Sequence, residues 1–148
     1  MVNEKISLVS AGINDWQKVL EFEKTSQSKF FAALKNEKEA RDYLSESKVF
    51  FIKLGKEFIG TASFKPEKDS AYLDGLTIAP NYRGKGYSKI ALHLIMEKAS
   101  SFKRAYLRVH PQNTAGLMIY LKEGFKIISW EENHFGDNEP RVVMEKVY

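Results

Sequence analysis

The sequence predicts an α+β domain built on a mixed, mostly antiparallel sheet flanked by helices. Three observations carry this. The apolar period switches repeatedly between two residues and three to four along the 148 residues. In the first half, β-forming runs follow one another across short turns, which gives antiparallel hairpins. In the second half, β-forming runs alternate with helical patterns, which gives strand–helix–strand crossovers.

The elements follow in order. Glu4 to Ala11 alternates, with Ile6 and Leu8 on one face, as a strand does. Asn14-Asp15 offers a helix N-cap ahead of Trp16, Val19, Leu20 and Glu23 at helical spacing. After the polar stretch from Thr25 to Lys29, a second helical pattern runs through Phe31, Leu34, Ala40 and Leu44. Val49 to Leu54 and Phe58 to Phe64 flank Gly55-Lys56-Glu57 and read as a hairpin. A turn from Pro66 to Ser70 leads into a third strand, Tyr72 to Ile78. Pro80 to Gly86 breaks regular structure, and a strong helix starts at Tyr87 with Ile90, Ala91, Leu94 and Ile95 on its apolar stripe. Ala105 to His110 is a strand. Pro111-Gln112-Asn113 restarts the chain into a helix through Glu123, which Gly124 closes. Phe125 to Trp130 and Arg141 to Val147 are the last strands.

Composition narrows the functional classes. The length suits one domain, residues 1–148, and no Pro-, Gly- or Ser-rich linker divides it. There is no cysteine, so disulfides, thiolate metal sites and a cysteine nucleophile are excluded, and no metal is expected. The N-terminus lacks the apolar core of a signal peptide, and no run approaches the ~18 apolar residues of a membrane span. A cytoplasmic protein without a membrane partner is the expectation. The net charge of +4 is spread along the chain among acidic residues rather than gathered in a stripe with aromatics. That argues against a nucleic-acid partner and is compatible with a small polyphosphate ligand.

One segment carries chemistry. Leu76 to Ser88 reads Leu-Thr-Ile-Ala-Pro-Asn-Tyr-Arg-Gly-Lys-Gly-Tyr-Ser: a strand ends, a Gly-rich loop turns, and a long helix begins. The first N–H groups of a helix have no internal partner, and the macrodipole makes its start electropositive. Gly84 and Gly86 let a ligand approach the backbone, and Arg83 and Lys85 add charge. Neither the nucleotide P-loop spacing nor the dinucleotide fingerprint is present; Lys89 stands where the third glycine of the latter would be. Standing alone, such a loop is more often a plain turn.

The segment resembles the acetyl-CoA pyrophosphate loop of the GNAT superfamily, Arg/Gln-x-x-Gly-x-Gly/Ala, through Arg83, Gly84, Lys85, Gly86 and Tyr87; Ser88 replaces the usual Gly or Ala. Downstream, the segment Asn113 to Phe125, with Tyr120 and Gly124 in register, is similar to that superfamily's second element, Asn-x-x-Ala-x-x-x-Tyr-x-x-x-Gly-Phe. The element order agrees over nearly the whole chain.

The resemblance implies a GNAT fold with two splayed strands and an N-acetyltransferase that passes an acetyl group from acetyl-CoA to a primary amine of a small molecule or peptide. It implies backbone contacts to pantetheine from Leu76 and Ile78, a pyrophosphate cradle from Arg83 to Ser88, and a pantetheine contact from Asn113. Tyr120 becomes the candidate general acid for the leaving thiolate, with an oxyanion donor near Ile78. A base must also take the amine's proton. Members that acetylate protein N-termini carry a Glu where this chain has Arg108. Asp74, on the strand before the loop, is the first candidate base and His110 the second. Ser26 to Phe31 and Trp130 to Phe135 are the expected substrate walls. Read without the motif, Tyr120 is a core tyrosine, Asn113 a helix N-cap and Asp74 or His110 a structural polar group. A non-catalytic acetyl-CoA-binding module is the alternative function, and a homodimer is a further expectation from the resemblance.

Overall fold

The computed structural model describes residues 5–26 and 28–148. Glu4, where the first predicted strand begins, and Gln27, in the segment between the first two helices, lie outside the described residues. Strand β1 (Ile6–Ser10) leads through a short 3-10 turn, Ile13–Asp15, into helix α1 (Trp16–Lys24). The Asp15 carboxylate accepts the Gly12 N–H at 2.8 Å, so it fastens this turn rather than capping α1. Helix α2 (Glu37–Glu46) starts later than its apolar spacing suggests. Asn36 adopts an extended backbone and its side chain accepts the Glu39 N–H at 2.9 Å, so the N-cap fixes the start. Phe31 and Leu34 therefore belong to the connection, where Leu34 still packs on the core.

Strands β2 (Lys48–Leu54), β3 (Glu57–Pro66) and β4 (Ser70–Ile78) form an antiparallel meander. Helix α3 (Tyr87–Lys98) crosses to β5 (Arg104–Val109), and α4 (Thr114–Glu123) leads to β6 (Lys126–Glu131) and β7 (Arg141–Val147). The seven strands lie in the order β1-β2-β3-β4-β5-β7-β6, and the β4–β5 pair is parallel while the others are antiparallel. The sheet is mixed and mostly antiparallel, as the sequence predicts.

Both faces of the sheet are covered. Alternation in β2 sends Val49 and Phe51 to a cluster with Val19 of α1, and Ile52 and Leu54 to the main core under α3. On α3, Ala91, Leu92, Ile95 and Met96 are buried against that core. Among the described residues no helix is long and apolar enough to cross a membrane.

One irregularity positions the site. Ser63 pairs with Gly75 but Lys65 pairs with Tyr72, so β4 holds one extra residue around Leu73 and Asp74. Such a bulge bends its strand. Between the bulge and the end of β4, Gly60 brings β3 very close: a Cβ there would lie 1.9 Å from the Thr77 carbonyl oxygen. Only glycine fits this approach without moving a backbone.

Gly60→Ala is therefore expected to lower stability by about 3 kcal/mol or more, because both strands must shift to relieve the overlap. Urea denaturation followed by circular dichroism measures it; a midpoint equal to wild type would show that the strands part freely.

Candidate active site

The site begins where β4 and β5 separate. Their parallel pairing runs from Ser70↔Arg104 to Tyr72↔Tyr106 and then stops. The Tyr72 and Tyr106 rings stack with centroids 4.9 Å apart, and the Arg104 and Arg108 guanidiniums lie over them at 4.5 and 5.1 Å. Past this closed end the bulge turns β4 away. Among the described residues, the edge of β4 from Leu73 to Ile78 faces the gap with no strand partner on that side, while β3 pairs its other side and β7 pairs all of β5. A strand edge left open in this way offers N–H and C=O groups to an extended ligand.

At the end of β4 the chain makes a 3-10 turn, Pro80–Tyr82, and enters the Gly-rich loop. Gly84 and Gly86 have φ of +77° and +84°, and nothing lies within 4 Å of a Cβ built on either. This left-handed backbone suits glycine. Gly86 is the N-cap of α3 and brings no capping side chain, so the first N–H groups of the helix face outward beside Lys85, Tyr87 and Ser88. Arg83 behaves differently from expectation. Its Nε donates to the Ile78 carbonyl at 2.7 Å and its Nη2 to the Thr25 carbonyl at 3.1 Å. It ties the end of β4 to the end of α1 while remaining exposed, and it occupies the Ile78 carbonyl.

Between the sheet and the α1–α2 connection lies a cavity of about 170 Å³. Its walls bring together Asp74 and Leu76 of β4, Arg108 of β5 and Tyr120 of α4. Ser26, Phe30, Phe31 and Phe135 close it, whereas Trp130 lines a separate groove. Burial, followed by the charge of Tyr72, pushes the Tyr120 phenol up to about 12, and its ring meets Phe125 edge-on at 6.0 Å. This phenol stays protonated at neutral pH and is a donor there.

Asp74 is held from both sides. Ser47 Oγ donates to Oδ2 at 2.5 Å and Ser63 Oγ to Oδ1 at 2.6 Å, and the Tyr43 hydroxyl donates in turn to Ser63 Oγ. Burial raises the Asp74 pKa while the two serine hydroxyls oppose the rise. His110, the second candidate base, is 2% exposed and does not line the cavity. Its Nδ1 accepts the Gln112 N–H at 3.1 Å, which assigns the proton to Nε2, 2.9 Å from Glu139 Oε1. Phe30 covers the ring at 5.0 Å. Both nitrogens are thus engaged away from the cavity. Asn113 is the N-cap of α4, its Oδ1 accepting the Gly116 N–H at 3.0 Å.

Sequence reasoning left out Glu23, the other carboxylate in the cavity wall. Burial pushes its carboxyl up to about 7; the backbone N–H of Leu34 opposes this and the nearby Asp74 adds to it. A signal was present: Glu23 shares the i, i+3, i+4, i+7 stripe of α1 with Trp16, Val19 and Leu20, and an acidic residue on a core-facing stripe needs a reason to be there. Among the described residues no cluster of three or more His, Cys, Asp or Glu forms a candidate metal site.

Comparison with known proteins agrees with this arrangement. Residues 13–125 match the sequence profile described as the Acetyltransferase (GNAT) family. No curated protein matches the chain. Among solved structures, an N-acetyltransferase from Staphylococcus aureus Mu50 is similar with a TM-score of 0.82 at 14% identity, over 97% of each chain. The ribosomal-protein-S18-alanine N-acetyltransferase from Escherichia coli is similar with a TM-score of 0.81 at 17% identity, over 97% of this chain and 94% of that one. A GNAT family acetyltransferase from Elizabethkingia anophelis, with acetyl-CoA bound, is similar over the whole of both chains, with a TM-score of 0.77 at 18% identity.

The raised Glu23 pKa makes stability depend on pH with a definite sign. The native state holds this proton up to about 7, whereas an ordinary carboxyl releases it near 4.5. Glu23 therefore costs nothing below about pH 4.5, and stability falls as pH rises toward 7, by at most about 3 kcal/mol. Glu23→Gln is expected to match wild type at pH 4.5 and exceed it at pH 8, as urea melts at the two pH values would record.

Proposed function

The chain belongs to the acetyltransferase (GNAT) family, a family of acyltransferases, and we propose that it transfers an acetyl group from acetyl-CoA to a primary amine of a small molecule or peptide by direct attack in a ternary complex. The observation that carries this reading is the open edge of β4, which runs from the cavity holding Tyr120 to the Gly84–Gly86 loop. An extended pantetheine arm fits such an edge, and a pyrophosphate fits the uncapped start of α3. The residues present suit both parts: Leu76 lies on the open edge, and the loop glycines leave space at the helix N-terminus.

In this reading Leu76 and the N–H of Ile78 hold the arm, because Arg83 already occupies the Ile78 carbonyl. The loop from Gly84 to Ser88 takes the diphosphate, with Lys85 adding exposed positive charge. Arg83 contributes indirectly, by fixing the end of β4 relative to α1. Asn113 keeps the start of α4 in place so that Tyr120 enters the cavity.

The chemistry is acyl transfer. The neutral amine nitrogen attacks the thioester carbonyl carbon, the carbonyl oxygen becomes negative, the C–S bond then breaks with its electron pair leaving on sulfur, and a proton of the cationic nitrogen passes to that thiolate to leave the amide and the thiol. Backbone N–H groups on the open β4 edge stabilise the oxyanion. The Tyr120 hydroxyl donates a hydrogen bond to the sulfur as charge develops. A phenol near 12 is a weaker acid than a thiol near 8.5, so complete proton transfer is uphill and hydrogen bonding is its main contribution. An alkyl ammonium must lose its proton before attack. The carboxylates facing the cavity, Asp74 and Glu23, are the groups placed to receive it.

Isothermal titration with acetyl-CoA tests the cofactor site. Wild type is expected to bind, and Gly84→Glu combined with Gly86→Glu to bind at least about 100-fold more weakly with an unchanged circular dichroism spectrum, since two carboxylates would face the diphosphate. Tyr120→Phe is expected to lower kcat on the order of 100-fold while acetyl-CoA affinity stays within about threefold. Binding without turnover of any amine would favour a cofactor-holding module, and absence of binding would overturn the reading altogether.

A further inference from the structure

The cavity holds two carboxylates, and only one is arranged to accept a proton. Both oxygens of Asp74 already take serine hydroxyls at 2.5 and 2.6 Å. These donors favour the charged carboxylate and so weaken its hold on an arriving proton. Among the described residues Glu23 has no hydroxyl donor and makes no ion pair; the Leu34 backbone N–H is its hydrogen-bond partner. The two arginines of the cavity are engaged elsewhere: Arg108 Nε donates to Glu131 at 2.7 Å and Arg141 Nη2 to Asp137 at 2.8 Å. Neither pairs with Glu23, so its affinity for a proton is kept. His110 has both ring nitrogens committed outside the cavity.

Resting on the acetyl-transfer reading above, we propose that Glu23 is the catalytic base that takes the proton of the acceptor ammonium, and that Asp74 is a positioning residue. The proton passes from the ammonium nitrogen to a Glu23 carboxylate oxygen. The freed lone pair forms the N–C bond, the C–S pair leaves on sulfur, the second proton of the now cationic nitrogen passes to that thiolate to give amide and thiol, and Glu23 returns its proton to solvent. Asp74 fixes β4 to α2 through Ser47, Ser63 and Tyr43, and its charge faces Glu23 across the cavity. The other ionisable groups on this cavity or packed at it are Tyr43 of α2, Tyr72 of β4, Arg108 of β5, Tyr120 of α4 and Arg141 of β7. The tyrosines are neutral and the arginines paired, which leaves Asp74, partly offset by Lys65 of β3, as the charge acting on Glu23. Burial and that charge place Glu23 near 7, where a base is half ionised at neutral pH and still strong enough to accept a proton.

Two nucleophiles test this. Glycinamide is small enough for the cavity and is mostly an ammonium at neutral pH, so it needs a base. Hydroxylamine is mostly neutral there and does not. Thiol release from acetyl-CoA is followed for wild type, Glu23→Gln and Asp74→Asn, with acetyl-CoA affinity and circular dichroism as controls. Glu23→Gln is expected to lose at least about 100-fold more rate with glycinamide than with hydroxylamine. Asp74→Asn is expected to slow both to a similar degree. Equal losses of the two nucleophiles in Glu23→Gln would make Glu23 structural and overturn the assignment. So would a wild type that binds acetyl-CoA yet leaves glycinamide unreacted. A wild type that binds no acetyl-CoA overturns the acetyltransferase reading itself, which is a distinct result. If Glu23→Gln does not fold, the wild-type profile decides: kcat for glycinamide rising through one ionisation near pH 7, where kcat for hydroxylamine is flat, is the expected result. Parallel profiles overturn the assignment.

Discussion

The parting of β4 from β5 is the constraint on which the rest of this structure depends. A parallel pair held along its whole length would satisfy its own backbone and leave no edge. Here the pair is closed at one end by the stacked Tyr72 and Tyr106 rings beneath two arginines, and opened at the other by an extra residue in β4. The flanking pairings do not yield. Gly60 lets β3 hold β4 tightly, and β7 pairs β5 from Arg104 to Val109. Divergence is therefore confined to one gap, and the unpaired backbone polar groups are concentrated there.

What surrounds the gap follows from this geometry. Helix α3 must begin near the free end of β4, because the connection between them is short, so its electropositive start lies at the mouth of the gap. Arg83 bonds the carbonyls of Ile78 and Thr25, which couples the end of the open strand to the end of α1. The Gly84–Gly86 loop and the wall carrying Glu23 are thus mechanically linked. Short hydrogen bonds of this kind fix the backbone more precisely than surface charge at a distance, which is screened within about 10 Å at moderate ionic strength.

The two cavity carboxylates show how neighbours divide roles between like groups. Burial raises both, but hydroxyl donors on Asp74 counter the effect, while Glu23 receives a single backbone donor and the repulsion of Asp74. Pairing of Arg108 with Glu131 and of Arg141 with Asp137 keeps the cationic groups from erasing this difference. Arg108 stands where the resemblance expects an acid, and Glu23 supplies a carboxylate on the opposite wall of the cavity.

The sequence by itself determined the periodic elements and the family. Apolar periods set which residues face the core, and Gly55, Gly84, Gly86 and Gly124 marked the turns, because these signals are local in the chain. Tyr120 and Asp74 were legible through the motif and the strand on which they lie. Only the tertiary structure decided the bonding of Arg83 to Ile78 and Thr25, the separation of His110 from the cavity, and the meeting of Glu23 with Asp74. The physical reason is that each of these depends on partners remote in sequence. Arg83 spans 58 residues to Thr25, and His110 reaches 29 to Glu139. Glu23 owes its proton affinity to burial by several elements at once, and no local pattern encodes how much water a folded wall excludes.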